Sequence, residues 1–190
     1  MKKFQPQWRE KNNTGNMKTR VATENDIKAL ERLITESVLT LQAHCYSEAQ
    51  RQGALGTVFG VDSQLIKDGT YYIIEIDDEV VACGGWSYRS TLFGADAGKV
   101  EKESQLDPAT DAARVRAFFV SPQFARRGLG TKILEECQNR ARERGFSKFE
   151  LVATLVGEPL YAKHGFVSVE RYNVTLVNGE NLPVVRMVKE

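Results

Sequence analysis

The sequence predicts an α/β (α+β) fold, a mixed and mostly antiparallel central sheet of about seven strands flanked by helices. Three observations carry this. Two hairpin signals, at Asp77-Asp78 and Asn178-Gly179, sit between alternating apolar runs. Two capping boxes announce early helices, Thr23 with Asp26 and Ser47 with Gln50. One amphipathic helix, from about Gly128 to Arg144, lies between two apolar strands, and only such a crossover allows those strands to run parallel.

Residues 1–16 read as an extension, and residues 17–190 as a single domain. The extension is basic and polar and lacks the apolar stretch of a secretory signal. A short strand, Thr19–Ala22, precedes a helix whose buried face is Ile27, Leu30, Leu33 and Ile34. A second helix follows Ser47 and weakens at Gly53 and Gly56, and Asp62 caps a short third helix through Lys67. Strands Thr70–Ile76 and Val80–Tyr88 form the first hairpin. Residues 89–112 have no period; Leu92 and Phe93 amid small residues suit a wall or lid of a pocket, and a disordered surface insertion is the equal alternative. Strand Arg114–Val120 leads into the long helix, which Gly145 ends. The run "SKFELVATL" is a strand, Pro159 starts a short helix ending at Gly165, and the last hairpin completes the sheet.

The chain has 190 residues, 42% hydrophobic and 27% charged, with a net charge of +1. That length suits one sizeable core. The balanced charge gives no global field for nucleic acid or an anionic membrane, so any anion site is local. No apolar run approaches the length of a membrane span. Cys45, Cys83 and Cys137 are too dispersed for a metal or redox motif, and with His44 and His164 as the only histidines a metal site is not expected. Free thiols place the protein in the cytoplasm. A two-fold homodimer is the default assembly.

The stretch "SPQFARRGLGTKILEEC", Ser121 to Cys137, sets two glycines and two arginines where strand passes to helix. Unpaired amides and the helix dipole favour an anion there, and a glycine lets a phosphate approach closely. A tight solvated turn with ordinary surface arginines is the plain alternative. A P-loop does not fit, because the glycine upstream of Gly130-Thr131-Lys132 is missing. A dinucleotide fingerprint does not fit either, because Ile133 stands where its third glycine belongs.

The loop resembles that of the GCN5-related N-acetyltransferase (GNAT) family, whose pattern is [Q/R]-x-x-G-x-[G/A]. Gly128 and Gly130 match, whereas Ala125 departs, the arginines being shifted to Arg126 and Arg127. A second block, "EPLYAKHGF", matches the family's F/L-Y-x-x-x-G-F signature at Leu160, Tyr161, Gly165 and Phe166. Thr154 stands where the family often has asparagine. The resemblance runs from Lys18 to Glu190 and is similar to that of bacterial members with unassigned acceptors.

The resemblance implies fourth and fifth strands splayed apart, and acetyl-coenzyme A (acetyl-CoA) as co-substrate with no metal. Arg126, Arg127, Gly128, Leu129, Gly130 and Thr131 would hold its pyrophosphate, Thr154 would replace the asparagine, and the edge of strand Phe118, Phe119 and Val120 would pair with its pantetheine arm. A strand amide there would stabilise the oxyanion on the thioester carbonyl. The acceptor would be a small-molecule or peptide amine attacking directly, with Tyr161 as the acid that protonates the leaving sulfur. An aromatic packed under the cofactor is the other reading of Tyr161. For the base, Glu158, Glu150, Glu75, His44 and a water chain all stand open, His44 reading better as a surface loop residue. Trp86, Tyr88 and Arg116 are candidates for the pocket wall or the core. Cys83 and Cys137 read as core, and Cys45 lies near the expected acceptor side. The alternative function is a non-catalytic coenzyme A-binding or regulatory module on the same fold; a phosphotransferase is a distant third.

Overall fold

The computed structural model describes residues 16–98 and 103–190. The expected extension, 1–16, falls outside them except for Asn16. Strand β1 (Met17–Val21) leads through a 3₁₀ turn into α1 (Ile27–Leu41), followed by α2 (Glu48–Ala54) and α3 (Ser63–Lys67). Hairpin β2 (Tyr71–Ile76) and β3 (Glu79–Ser87) comes next, then β4 (Ala113–Val120) and α4 (Leu129–Glu143). The chain closes with β5 (Phe149–Thr154), α5 (Glu158–Lys163), β6 (Val167–Thr175) and β7 (Asn181–Lys189).

The seven strands lie in the order β1-β2-β3-β4-β5-β7-β6. Every neighbouring pair is antiparallel except β4 and β5, the two that flank α4. Asp77 and Asp78 both have positive φ, 51° and 64°, as a two-residue hairpin turn requires. Ser47 Oγ accepts from the Gln50 N–H at 3.1 Å and Gln50 Oε1 accepts from the Ser47 N–H at 2.9 Å, so the second capping box is complete.

The sheet separates two cores. On one face α4 buries Ile133, Leu134, Cys137 and Ala141 against Trp86, Val115, Phe149 and Met187. On the other, α1 buries Leu30, Leu33, Ile34 and Val38 against Tyr71, Ile73, Cys83 and Phe119. Each such fully buried aliphatic side chain contributes about 1.5–3 kcal/mol. Burial pushes the Cys83 thiol up to about 12 and raises Cys137 well above its usual range, which leaves both as core thiols.

Two polar devices tie the helical side to the sheet. Arg20 on β1 makes a bidentate pair with Asp26, both bonds 2.8 Å, and also bonds Glu75 on β2. The Arg20 guanidinium holds the Asp26 carboxyl well below the usual carboxylate range. A depressed folded-state pKa gives stability that is present above about pH 4 and lost as pH falls through the folded value. Asp26→Asn should therefore flatten the acid limb of stability, read as urea midpoints between about pH 2 and pH 5.

Tyr46, between α1 and α2, donates its hydroxyl to the Pro183 carbonyl at 2.7 Å and accepts the Leu155 N–H at 2.8 Å. Tyr46→Phe leaves both backbone groups without that partner. It should cost about 1–3 kcal/mol in denaturant unfolding.

Candidate active site

The site begins with an irregularity in β4. Ala117 has φ +57°, and the register with β3 shifts between Cys83 and Gly85. A residue so placed costs about 1–3 kcal/mol and needs local support. The Ala117 carbonyl faces the Tyr71 hydroxyl at 3.3 Å and the Cys83 thiol at 3.8 Å. The bulge changes the strand's parity: Ala113 and Val115 face α4 before it, Phe118 and Val120 after it, and Phe119 turns to the α1 side. Gly84 makes this possible, since a Cβ there would stand 2.7 Å from both Ile133 and Phe118.

Beside the bulge the sheet opens. β4 and β5 pair only at Ala113–Phe149 and Arg114–Glu150, and then diverge. The gap is part of a cavity of about 780 Å³, a size usual for small-molecule sites. One end is lined by Gly128, Leu129, Gly130 and Thr131 at the start of α4, the middle by Phe118, Val120, Thr154 and Tyr161, and the other end by residues of the α1 side such as Gln42 and Phe59.

At the α4 end the backbone alternates. Arg126 has φ +63° and Gly128, the residue capping the helix, has φ +81°. The first intrahelical bond of α4 runs from the Lys132 N–H to the Gly128 carbonyl at 3.0 Å. The amides of Leu129, Gly130 and Thr131 precede it and lie where a helix offers free donors. Gly130 is closely approached, since a Cβ there would meet Leu160 Cδ2 at 3.1 Å and that side chain would have to shift. These residues fit a pyrophosphate: free amides without a side chain in the way, with Arg126 and Lys163 also on the lining. Thr131 Oγ1 lies 3.1 Å from His164 Nε2, which fixes the hydroxyl against the end of α5.

Tyr161 stands in the middle. Its ring packs edge-on against Phe118 at 6.0 Å and Phe166 at 5.9 Å, and the residue is 8% exposed. Burial raises its pKa well above the usual phenol range, so it holds its proton throughout the neutral range. Its hydroxyl has no hydrogen-bond partner among the described residues, and the side chain borders the cavity. Thr154 Oγ1 accepts the Gly157 N–H at 3.1 Å, closing the turn that leads into α5.

Several expected site residues lie elsewhere. Arg127 stacks over Phe124 at 5.0 Å and does not border the cavity. None of the three carboxylates considered as base reaches it. Glu75 is held by Arg20, Glu150 by Arg114 and Arg186, and Glu158 by Ser168 at 2.9 Å and Arg171 at 2.5 Å. Trp86 packs on Phe146 in the α4-side core, and Tyr88 lies between the guanidinium groups of Arg89 and Arg144. Arg116 does border the cavity, but its charge is met by Asp62 at 2.7 Å and Glu103 at 3.7 Å. His44 is an exposed loop residue and also lines the cavity. Leu92, Phe93 and Gly94 do form part of the wall, anchored by the Arg116 bond to the Gly94 carbonyl at 3.0 Å. Residues 99–102 of that connection lie outside the described residues.

Gln42, Phe59 and Leu155 are wall residues that sequence reading missed. A buried polar side chain at a helix end carries no periodic signal, and only the fold reveals it. Among the described residues no group of three or more His, Cys, Asp or Glu could hold a metal ion, and no helix is long and apolar enough to cross a membrane.

No curated protein matches the chain significantly. Solved structures share its architecture. A GCN5-related N-acetyltransferase from Rhodopseudomonas palustris superposes with a TM-score of 0.67 at 20% identity, covering 91% of this chain and 94% of its own. The PaiA N-acetyltransferase of Thermoplasma acidophilum, in complex with coenzyme A, gives 0.60 at 14% identity over 92% and 98%. The ribosomal-protein-S18-alanine N-acetyltransferase of Escherichia coli gives 0.57 at 13% identity over 91% and 92%. At these identities the likeness establishes the fold. The model of the acetyltransferase (GNAT) family matches residues 35–166, the stretch that holds the bulged β4, the glycine loop and Tyr161, and the chain belongs to that family.

Proposed function

We propose that the protein is an acetyl-CoA-dependent N-acetyltransferase that acetylates a primary amine by direct attack. One observation carries the reading. A single cavity joins the free amides at the start of α4, the unpaired edge of β4, the buried phenol of Tyr161 and an apolar chamber on the α1 side. Acetyl-CoA, when bound, supplies an activated thioester carbonyl. The amides of Leu129, Gly130 and Thr131 bind its pyrophosphate, with Arg126 and Lys163 adding charge. Phe118, Phe119 and Val120 orient the pantetheine arm through the β4 edge, and an edge amide hydrogen-bonds the carbonyl oxygen as charge builds there. Thr154 contributes its hydroxyl proton, since its oxygen already accepts from Gly157. Tyr161 gives its proton to the departing sulfur. Cytoplasmic placement belongs to the same proposal, as does the absence of nucleic acid and membrane partners; a homodimer is its default assembly.

The described lining holds no Asp or Glu to act as base. That favours a second reading, a coenzyme A-binding module without turnover. Calorimetry with acetyl-CoA, together with thiol release over a panel of primary amines, separates the two. Binding with amine-dependent thiol release is expected. Binding without release on any amine would select the module.

A further inference from the structure

We infer that the α1 end of the cavity takes up a weakly basic primary amine, an α-amine carried on an apolar body, as its free base, with the Gln42 side-chain amide as the group that receives it. This rests on the acetyltransferase reading and names its acceptor class.

The chamber beyond the β4–β5 gap is lined by Leu41, Val58, Phe59, Phe93, Val152 and Val184, an aliphatic and aromatic surface. Its polar groups are few. Gln42 caps the C-terminus of α1, lines the cavity and is 6% exposed. Its Oε1 is buried with no hydrogen-bond partner among the described residues. A buried amide without a partner is costly, and a rotation of its terminal torsion presents either oxygen or nitrogen to the chamber. Ser37, just over one helical turn earlier on α1, is the other neutral polar group on this wall.

The charges around the chamber decide the form in which an amine enters. From the loop after α1 come His44, which lines the cavity, and Cys45 and Tyr46, which are part of that loop's packing. From β4 comes Arg116, neutralised by Asp62 and Glu103. Arg126 and Lys163 lie at the far, α4 end, where the pyrophosphate takes up their charge, and α5 brings the protonated phenol of Tyr161 to the middle of the cavity. Every charged side chain on the described lining is basic. An ammonium ion entering there would lose its hydration and find no carboxylate on the lining, Asp62 and Glu103 behind it being engaged by Arg116. A free base enters without that penalty.

The proton balance agrees. A neutral amine forms the new N–C bond as the C–S bond breaks. The proton that the nitrogen gives up equals the one the sulfur gains from Tyr161, and Tyr161 is restored by it. No carboxylate is required to remove a proton beforehand. An α-amine with pKa near 7.7–8.0 is about one-tenth or more free base at pH 7, and a lysine ε-amine about one part in 2,500. Free-base uptake alone thus favours the α-amine roughly 250-fold or more. The same chemistry occurs in amino-acid amides and in peptide N-termini.

The test is calorimetry on the full chain saturated with coenzyme A, so that no turnover occurs. The probes are phenylalanine amide, a tripeptide amide beginning with Phe, Nα-acetyl-lysine amide and spermidine, each between pH 6 and pH 9. Phenylalanine amide should bind about tenfold more tightly per pH unit up to its amine pKa and level off above it. The tripeptide shows whether the chamber is open to a chain: binding as tight as that of the amide assigns peptide N-termini, and exclusion assigns small amines. Spermidine or Nα-acetyl-lysine amide binding at pH 7 as tightly as phenylalanine amide would overturn the inference, and so would a pH-independent Kd.

Gln42→Leu should weaken phenylalanine amide about threefold to tenfold and leave coenzyme A affinity unchanged. Gln42→Glu supplies the missing anion, so it should strengthen Nα-acetyl-lysine amide at least about tenfold and flatten the pH dependence. If both variants fold and bind every probe as the parent does, Gln42 is not the receiving group and the inference fails. If the parent does not bind coenzyme A at all, the acetyltransferase reading falls first and the acceptor inference with it.

Discussion

Replacing Tyr161 with Phe is expected to lower acetyl transfer by about 10²–10⁴ in kcat while leaving acetyl-CoA affinity within a fewfold. The ring makes edge-on contacts with Phe118 and Phe166 that a phenylalanine keeps, so the fold and the cavity wall persist. What is lost is a hydroxyl without a partner among the described residues, in a place where burial keeps it protonated. The raised pKa also sets a sign for pH. Tyr161 remains a donor up to and beyond its ordinary pKa near 10, so no loss of rate between pH 7 and pH 9 comes from its titration. Steady-state kinetics paired with calorimetry check both halves. An equal fall in rate and in affinity would make Tyr161 a packing residue.

Gly130→Val should weaken acetyl-CoA by about tenfold to a hundredfold, the value of one or two hydrogen bonds to a charged group. The variant side chain would stand over the amides and press on the tip of Leu160. Its Cβ alone would stand 3.1 Å from Leu160 Cδ2, and its methyl groups would crowd the amides ahead of the first bond of α4. Gly128 is constrained differently: no atom lies within 4 Å of a Cβ there, but φ is +81°. Gly128→Ala should therefore cost stability more than affinity, about 1 kcal/mol of left-handed strain. Titration with acetyl-CoA and a thermal melt of each folded variant separate the two causes. Wild-type affinity in Gly130→Val would remove the loop from the account.

Much of the fold was legible because its signals are local. Asp77-Asp78 and Asn178-Gly179 turned as their residue types require, and Gly179 carries φ +82°. The apolar spacing of α4 sets Ile133, Leu134, Cys137 and Ala141 on one face, and that face is the buried one. The parallel pairing of β4 with β5 followed from the intervening helix. The site was legible only where it coincides with a local motif. Gly128, Gly130 and Tyr161 belong to short patterns; the bulge at Ala117 does not. Its support comes from Tyr71 and Cys83, more than thirty residues away along the chain. Glu150 and Glu158 offered carboxylates at suggestive positions, yet arginines from other strands, Arg186 and Arg171, hold them. Long-range ion pairs of this kind leave no trace in spacing. Gln42 was missed for the same reason, since its exposure depends on elements far away in sequence.

The most direct test of the central claim is mass spectrometry of an amine acceptor incubated with acetyl-CoA and the full chain, with thiol release followed in parallel. The account predicts that phenylalanine amide gains one acetyl group, with one thiol released per acetyl transferred, and that Tyr161→Phe suppresses both together. Tight binding of acetyl-CoA, with no acetyl gained by any amine of the panel and no thiol released, would contradict it.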